Sequence, residues 1–173
     1  MTHEKEVVSR ILERFPVLEG HVRVEGRQRV RLDSLVRRDF DKVFPFLTGP
    51  AGFDRLLTLF GTDDGDWLSV TYALVNADEV VLLARERVLR TRPSVRSVCS
   101  RFPQAVWQER ELESLLGLQV EGLPEGESCP LPAEWPAGSF PLRKDWDVRL
   151  FNKSTMTYIY TPAASAGKKE AGR

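Results

Sequence analysis

Apolar residues recur along this chain in two rhythms, and the rhythm changes wherever turn-forming residues intervene. Val7, Val8, Ile11, Leu12 and Phe15 fall at helical spacing among Glu4, Glu6, Arg10, Glu13 and Arg14. That spacing predicts an amphipathic helix opened by Thr2 or His3 and stopped by Pro16. Val22 and Val24, then Val30 and Leu32, alternate with charged residues on either side of Glu25-Gly26. A period of two predicts a half-solvated hairpin. Asp33 or Ser34 is placed to cap a second helix, from Leu35 to Leu47, closed by Gly49-Pro50.

Three strands follow, Phe53 to Gly61, Trp67 to Val75 and Glu79 to Arg87, joined at Thr62–Asp66 and Asn76–Asp78. Turns of the Asp-Gly and Asn-x-Asp type between such runs predict an antiparallel meander. The connections are too short for parallel crossovers. The expected class is α+β: an antiparallel sheet of about four to six strands with helices packed on one face. An extended Pro-rich C-terminal segment is expected to follow it. The chain divides accordingly into an α+β domain (1–121), a Pro-rich segment (122–150) ending in P-L-R-K-D-W with a short continuation, and a tail (151–173). T-M-T-Y-I-Y in that tail predicts one short strand, and the small, polar residues after it predict fraying.

One stretch, Ala105 to Trp146, combines an aromatic residue, a dense charge cluster and a helical apolar stripe. On a wheel of about 100° per residue, Ala105, Leu112 and Leu116 share one side, flanked by Val106 and Leu115. Glu109 falls within that apolar side, where an unpaired carboxylate costs several kcal/mol. It is expected to pair with Arg143 or with an arginine of the 85–101 region. Trp107, Arg110, Glu111 and Ser114 lie on the opposite side. An outward Trp with polar neighbours either packs under the Pro-rich loop or meets another subunit. Pro124, Pro130, Pro132, Pro136 and Pro141, with Gly122, Gly126 and Gly138, exclude helix and central strand from the following passage. Rigid prolines suit a strap laid across another surface.

Composition narrows the function classes. The chain has 173 residues, 42% hydrophobic and 29% charged, enough for one core. With 25 Lys+Arg against 25 Asp+Glu there is no global basic field for nucleic acid. Arg85, Arg87, Arg90, Arg92, Arg96 and Arg101 form a basic run, but one without interleaved aromatics and followed by an acidic cluster; it is expected to be solvated or ion-paired. Cys99, Cys129, His3 and His21 are the only residues of their kinds. They build no disulfide framework, zinc site or iron–sulfur site, and a reducing cytoplasm is expected. No signal-peptide pattern and no apolar run of membrane-spanning length is present. No P-loop, G-x-G-x-x-G or Ser/His/Asp set is recognisable. Glu109 and Glu111 point about 200° apart on a helix, so they cannot converge as acid and base on one substrate.

The motifs of this stretch resemble one family. Trp107, Glu109-Arg110-Glu111, Leu116-Gly117, Gly122 and Pro124, then Pro141-Leu142-Arg143-Lys144-Asp145-Trp146, follow the pattern of the 30 kDa-type (C) subunit of respiratory complex I. Counterparts exist in membrane-bound, energy-converting [NiFe] hydrogenases. Leu56 to Asp63, the Tyr72 strand and Pro93–Val98 extend the likeness upstream, so that it covers about Val22 to Trp146. The family's Gly-His-Pro is Gly122-Leu123-Pro124 here, and Ser114-Leu115-Leu116-Gly117 lacks the family's acidic residue at the helix end. These departures point toward a hydrogenase-type complex, with a respiratory NADH:quinone oxidoreductase as the alternative.

The resemblance implies a non-catalytic scaffold that binds no cofactor and no metal, on the cytoplasmic face of the membrane as part of a complex. Its implied partners are a hydrogenase-like large subunit and an iron–sulfur small subunit, and indirectly an ion-translocating membrane module. Those partners would carry the iron–sulfur clusters, and a NiFe centre where one is retained. Docking is then expected from Trp107, Glu109, Arg110, Glu111, Pro124, Pro141, Leu142, Arg143, Lys144, Asp145 and Trp146.

Overall fold

The computed structural model describes residues 2–127 and 129–159. Its centre is a five-stranded sheet in the order β1-β2-β5-β4-β3, built from β1 (Val22–Gly26), β2 (Arg29–Val36), β3 (Arg55–Asp63), β4 (Trp67–Val75) and β5 (Val81–Leu89). Three helices accompany it: α1 (His3–Arg14), α2 (Arg37–Thr48) and α3 (Val106–Glu111), the last continued by a π-helical turn over Leu112–Leu116. Two small sheets complete the fold, β6 (Ser94–Arg96) beside β7 (Gln119–Glu121) and β8 (Phe151–Asn152) beside β9 (Thr157–Tyr158).

The expected α+β class, strand number and one-sided helices are found. The β5 pattern explains the sidedness. Leu82, Ala84, Glu86 and Val88 are buried while Val81, Leu83, Arg85 and Arg87 are half-exposed, the alternation of a strand with one covered face. On the covered side Phe40 and Phe44 of α2 pack against Tyr72 of β4 at 4.9 and 5.3 Å between ring centres. Leu112 and Leu116 press on β3 at Gly61, where any Cβ would collide with both side chains.

Two expectations need correction. The sheet is not wholly antiparallel: β2 and β5 run parallel, with Val30 opposite Leu82 and Leu32 opposite Ala84. The crossover between them consists of α2, β3 and β4 together, so the short β3–β4 and β4–β5 turns are no obstacle. The second helix also starts later than Leu35. Asp33 and Ser34 lie in β2, where the register shifts between Leu32 and Leu35, and the residue preceding α2 is Val36. Asp33 cannot cap because its carboxylate is held by Arg31 at 2.8 Å and Arg23 at 2.9 Å.

Other elements follow the expected pattern. Helix α1 buries Val7 and Ile11 and ends before Pro16. Residues 122–147 contain no helix or strand among the described positions. The T-M-T-Y-I-Y stretch contributes β9 through Thr157–Tyr158, and the frayed tail expected after it lies outside the described residues. No described helix is long and apolar enough to cross a membrane.

A polar group is buried on the helix-covered face of the core. Glu86 is 1% exposed on the helix-covered face. Tyr72 is its polar neighbour, yet neither carboxylate oxygen meets a partner in hydrogen-bonding geometry. Burial pushes its pKa up to about 8, with Asp41 adding to this while Arg37, Tyr72 and Arg96 pull against it. A raised folded pKa means stability that is complete below the unfolded value of about 4.3 and lost as pH rises through the folded one. The chain is therefore expected to lose on the order of 4 kcal/mol between pH 4 and 8 through this residue alone. In urea denaturation across that range, Glu86→Gln should match the parent at pH 4 and exceed it at pH 8. Parallel pH profiles for the two chains would contradict the assignment.

Candidate docking surface

Helix α3 has the two faces expected of it. Ala105, Glu109, Leu112 and Leu116 are buried, whereas Trp107 is 59% exposed and Glu111 is exposed. The Arg110 guanidinium sits 5.3 Å from the centre of the Trp107 ring, close enough for a cation–π contact. The helix ends at Gly117, whose φ of 68° is left-handed. A side chain there would also strike Phe140 and Arg143. Glycine thus both terminates the helix and lets the later segment lie against its end.

Glu109 is buried as expected, but its expected arginine partner is absent. Its carboxylate accepts hydrogen bonds from the Ser97 hydroxyl at 2.6 Å, the Val98 amide at 2.7 Å and the Cys99 thiol at 3.1 Å. The loop after β6 wraps the carboxylate, supplying enough donors to replace a counter-ion. The Cys99 thiol is pushed up to about 11, by burial first and also by Glu109, which keeps it unreactive near neutrality. Glu109 is a brace between α3 and this loop.

The Pro-rich passage is tied down along the same helix. Arg110 donates to the carbonyls of Glu125 at 3.0 Å and Pro124 at 3.5 Å. The Ser114 hydroxyl lies against the carbonyls of Arg110 and Cys129. The Leu142 amide then donates to Leu115 at 3.0 Å. Arg143 donates to Leu116 at 2.7 Å and Gly117 at 3.3 Å, with its guanidinium 4.4 Å from the centre of the Phe140 ring. The last carbonyls of the α3 turn thereby gain the cation that a helix C-terminus favours.

The rest of P-L-R-K-D-W meets Asp63 at the end of β3. The Asp63 side chain, 1% exposed, accepts from the amides of Gly65 and Lys144, each at 2.9 Å, and from Arg90 at 2.7 Å. The other arm of Arg90 pairs with Asp145. Burial alone would raise the Asp63 carboxyl, but the Lys144 and Gly65 amides and then Arg90 outweigh it, so its pKa is lowered. Trp146 turns inward: its indole N–H donates to the Ser139 hydroxyl at 2.8 Å. Its ring stands 6.2 Å from Trp135 and 5.8 Å from Tyr158.

These contacts sort the expected docking residues. Trp107, Glu111, Leu142 and Lys144 present exposed side chains. Arg110 is half-exposed and shared between Trp107 and the backbone, and Pro124 and Pro141 are half-exposed or exposed. Glu109, Arg143, Asp145 and Trp146 contact other parts of this chain. Asp63 and Arg90 are inconspicuous in the sequence because Asp63 reads as one more turn residue beside Asp64-Gly65-Asp66. The ion-paired expectation for the basic run holds for Arg85 with Asp64, Arg90 with Asp63 and Asp145, and Arg96 with Asp41. Among the described residues no three His, Cys, Asp or Glu side chains group as metal ligands.

Removing the central carboxylate gives the test of this arrangement. Asp63→Asn leaves Arg90 without its buried partner and is expected to cost about 3 kcal/mol. A lowered folded pKa contributes stability above the unfolded value of about 3.9 that disappears as pH falls through the folded value. The gap between parent and Asp63→Asn in chemical denaturation should therefore be full at pH 7 and shrink below about pH 4. A gap of the same size at pH 7 and pH 3 would refute the ionic role.

Known proteins resemble this chain in sequence and in fold. The family model for the respiratory-chain NADH dehydrogenase, 30 Kd subunit, matches residues 34–152. The chain is 31% identical over 147 residues to the C subunit of F(420)H(2) dehydrogenase from Methanosarcina mazei, covering 83% of this chain and 91% of that one. It is 29% identical over 151 residues to the membrane-bound hydrogenase subunit beta of Pyrococcus furiosus, covering 84% and 87%. In fold it matches a chain of the membrane-bound sulfane sulfur reductase, an archaeal respiratory membrane complex, with a TM-score of 0.70 at 20% identity, covering 83% and 85%. The chain belongs to the respiratory-chain NADH dehydrogenase 30 kDa subunit family.

Proposed function

We propose that this chain is a non-catalytic accessory subunit of a membrane-bound, hydrogenase-like or complex I-like oxidoreductase. As a member of its family it is a subunit of an oxidoreductase complex. Its own part, in this reading, is to dock on a hydrogenase-like large subunit and an iron–sulfur small subunit on the cytoplasmic side of the membrane. The clusters, and any NiFe centre, belong to those partners, as does the coupling of electron transfer to ion translocation.

The observation that carries the reading is Trp107. A 59% exposed indole with an arginine across its ring is the residue pair that dominates interface energetics. Its helix is fixed from behind by Glu109 and from the side by Arg110, so little ordering entropy remains to be lost on docking. Leu142, 56% exposed, adds an apolar contact at the other end of the same helix. Two anchors at opposite ends of a rigid element suit a broad, flat partner surface.

The surface and the brace respond differently to mutation. Trp107→Ala should change chain stability by less than about 0.5 kcal/mol, as for other exposed sites. It should weaken assembly about 30-fold, the factor for a roughly 2 kcal/mol anchor. Arg143→Ala should instead lower the melting temperature of the chain itself, because it strips the carbonyls at the end of α3 of their donor. The measurements are thermal melts of each chain and affinity capture of the tagged chain from native membrane extract. Recovery of neither a large subunit nor an iron–sulfur subunit with the parent chain would sink the proposal.

A further inference from the structure

The face of the central sheet opposite the helices is occupied by none of the three helices. On β3 the outward residues Thr58 and Phe60 are exposed, and Phe60 is 47% so. In register across the sheet, Phe60 stands beside Thr71 and Arg85, Thr62 beside Ser69 and Arg87, and Trp67 beside Leu89. Leu89 is 47% exposed, and Arg87 lies 4.5 Å from the centre of the Trp67 ring. Two exposed apolar side chains thus flank an arginine–tryptophan stack.

The same face is cationic in a chain whose net charge is zero. Register puts Arg23, Arg29, Arg31, Arg55, Arg85 and Arg87 on it. The carboxylates that answer them are Glu25, Asp33 and Asp64, which pair with Arg31, Arg23 and Arg85. Arg29 and Arg87 form no ion pair among the described residues. Within the row Thr62, Ser69 and Arg87, the Thr62 hydroxyl and the Arg87 Nε are buried and meet no hydrogen-bond partner. Buried donors are normally satisfied, and an orphan pair calls for a group from elsewhere or for repacking when one arrives.

We propose that the open sheet face is a second interface, shaped for an acidic protein surface that carries an apolar residue between Phe60 and Leu89. It rests on the reading of this chain as a subunit and adds a partner chemistry to it. Excess arginine selects carboxylates and steers their approach. Phe60, Trp67 and Leu89 supply the apolar contact. A nucleic acid fits less well, because Glu25, Asp33 and Asp64 would stand against its phosphates. The second interface lies on the opposite side of the sheet from α3, so partners would grip the subunit from two sides.

The test is thiol protection in the assembled complex. Thr58→Cys and Glu111→Cys, exposed neighbours of Phe60 and Trp107, are each introduced with Cys129→Ser, and maleimide labelling of this chain is followed by mass spectrometry, free and in complex. Thr58→Cys should label at least about tenfold more slowly in the complex, and Arg29→Glu should make assembly fail at about half the salt concentration. Equal labelling of Thr58→Cys in both states, with Glu111→Cys protected, overturns this interface and leaves the subunit reading intact. Protection of neither overturns both. Salt-sensitive binding of the free chain to an oligonucleotide, abolished by Arg29→Glu, would reassign the face to nucleic acid.

Discussion

The carboxylate of Asp63 is the point on which the arrangement of the second half of the chain depends. It lies at the last residue of β3 and gathers a turn amide, a guanidinium from the exit of β5 and an amide from the P-L-R-K-D-W segment. Each of those groups is distant in sequence from the others, and one buried acid joins them. The alternative to this convergence is a carboxylate in the protein interior without donors, which costs several kcal/mol. Once Asp63 is satisfied, Arg90 is fixed in place and extends to Asp145. Arg143 follows by reaching the carbonyls of Leu116 and Gly117. The segment that would dock on a partner is therefore positioned by the sheet rather than by the partner.

Three buried carboxylates on this fold show how differently the same group can be accommodated. Asp63 has amides and an arginine, so its charged form is favoured. Glu109 has a hydroxyl, an amide and a thiol, which suffice to hold a helix against a loop without any counter-ion. Glu86 has no donor in bonding geometry, and its neutral form is favoured. The two satisfied carboxylates are joints between segments. The unsatisfied one lies beneath α2, the helix whose first residue, Arg37, pairs with Glu121 across to β7. Ionising Glu86 would put a second negative charge near Asp41 on that helix, which makes α2 the pH-sensitive element of the domain.

Local pattern makes the helices and the strands legible, and it separates the faces of α3 correctly: Glu109 in, Trp107 out. Pairing at long range is a different matter. That Glu109 needs partners follows from its position on the wheel, but their identity does not, because backbone amides and hydroxyls leave no charge signature in a sequence. The parallel pairing of β2 with β5 is equally invisible. Inserting β5 between β2 and β4 requires the chain to pass through α2, β3 and β4 before it returns to β2, and nothing in W-L-S-V-T-Y-A-L-V names its neighbours. Asp33 misleads for a related reason. It has the composition of a helix cap, yet two arginines on neighbouring strand positions take its oxygens. The P-L-R-K-D-W motif mixes two jobs, since Arg143, Asp145 and Trp146 hold the segment in place while Leu142 and Lys144 point outward.

On the proposed reading of the chain as a non-catalytic scaffold, that division bears on how such a subunit would matter to an electron-transfer complex. Electron transfer between fixed centres needs constant spacing, and a scaffold contributes only if its contact points do not drift. In this chain three of the candidate contacts rest on a braced backbone: Trp107 on a helix held by Glu109, Leu142 on an amide bonded to Leu115, and Lys144 on an amide bonded to Asp63. Loss of a contact residue should therefore weaken association and leave the subunit's shape unchanged. Loss of a brace should leave the contact residues present but misplaced, because positioning by a supporting shell tolerates only sub-ångström error. A substitution at Asp63 would damage assembly without touching any partner, through the geometry of the segment it holds.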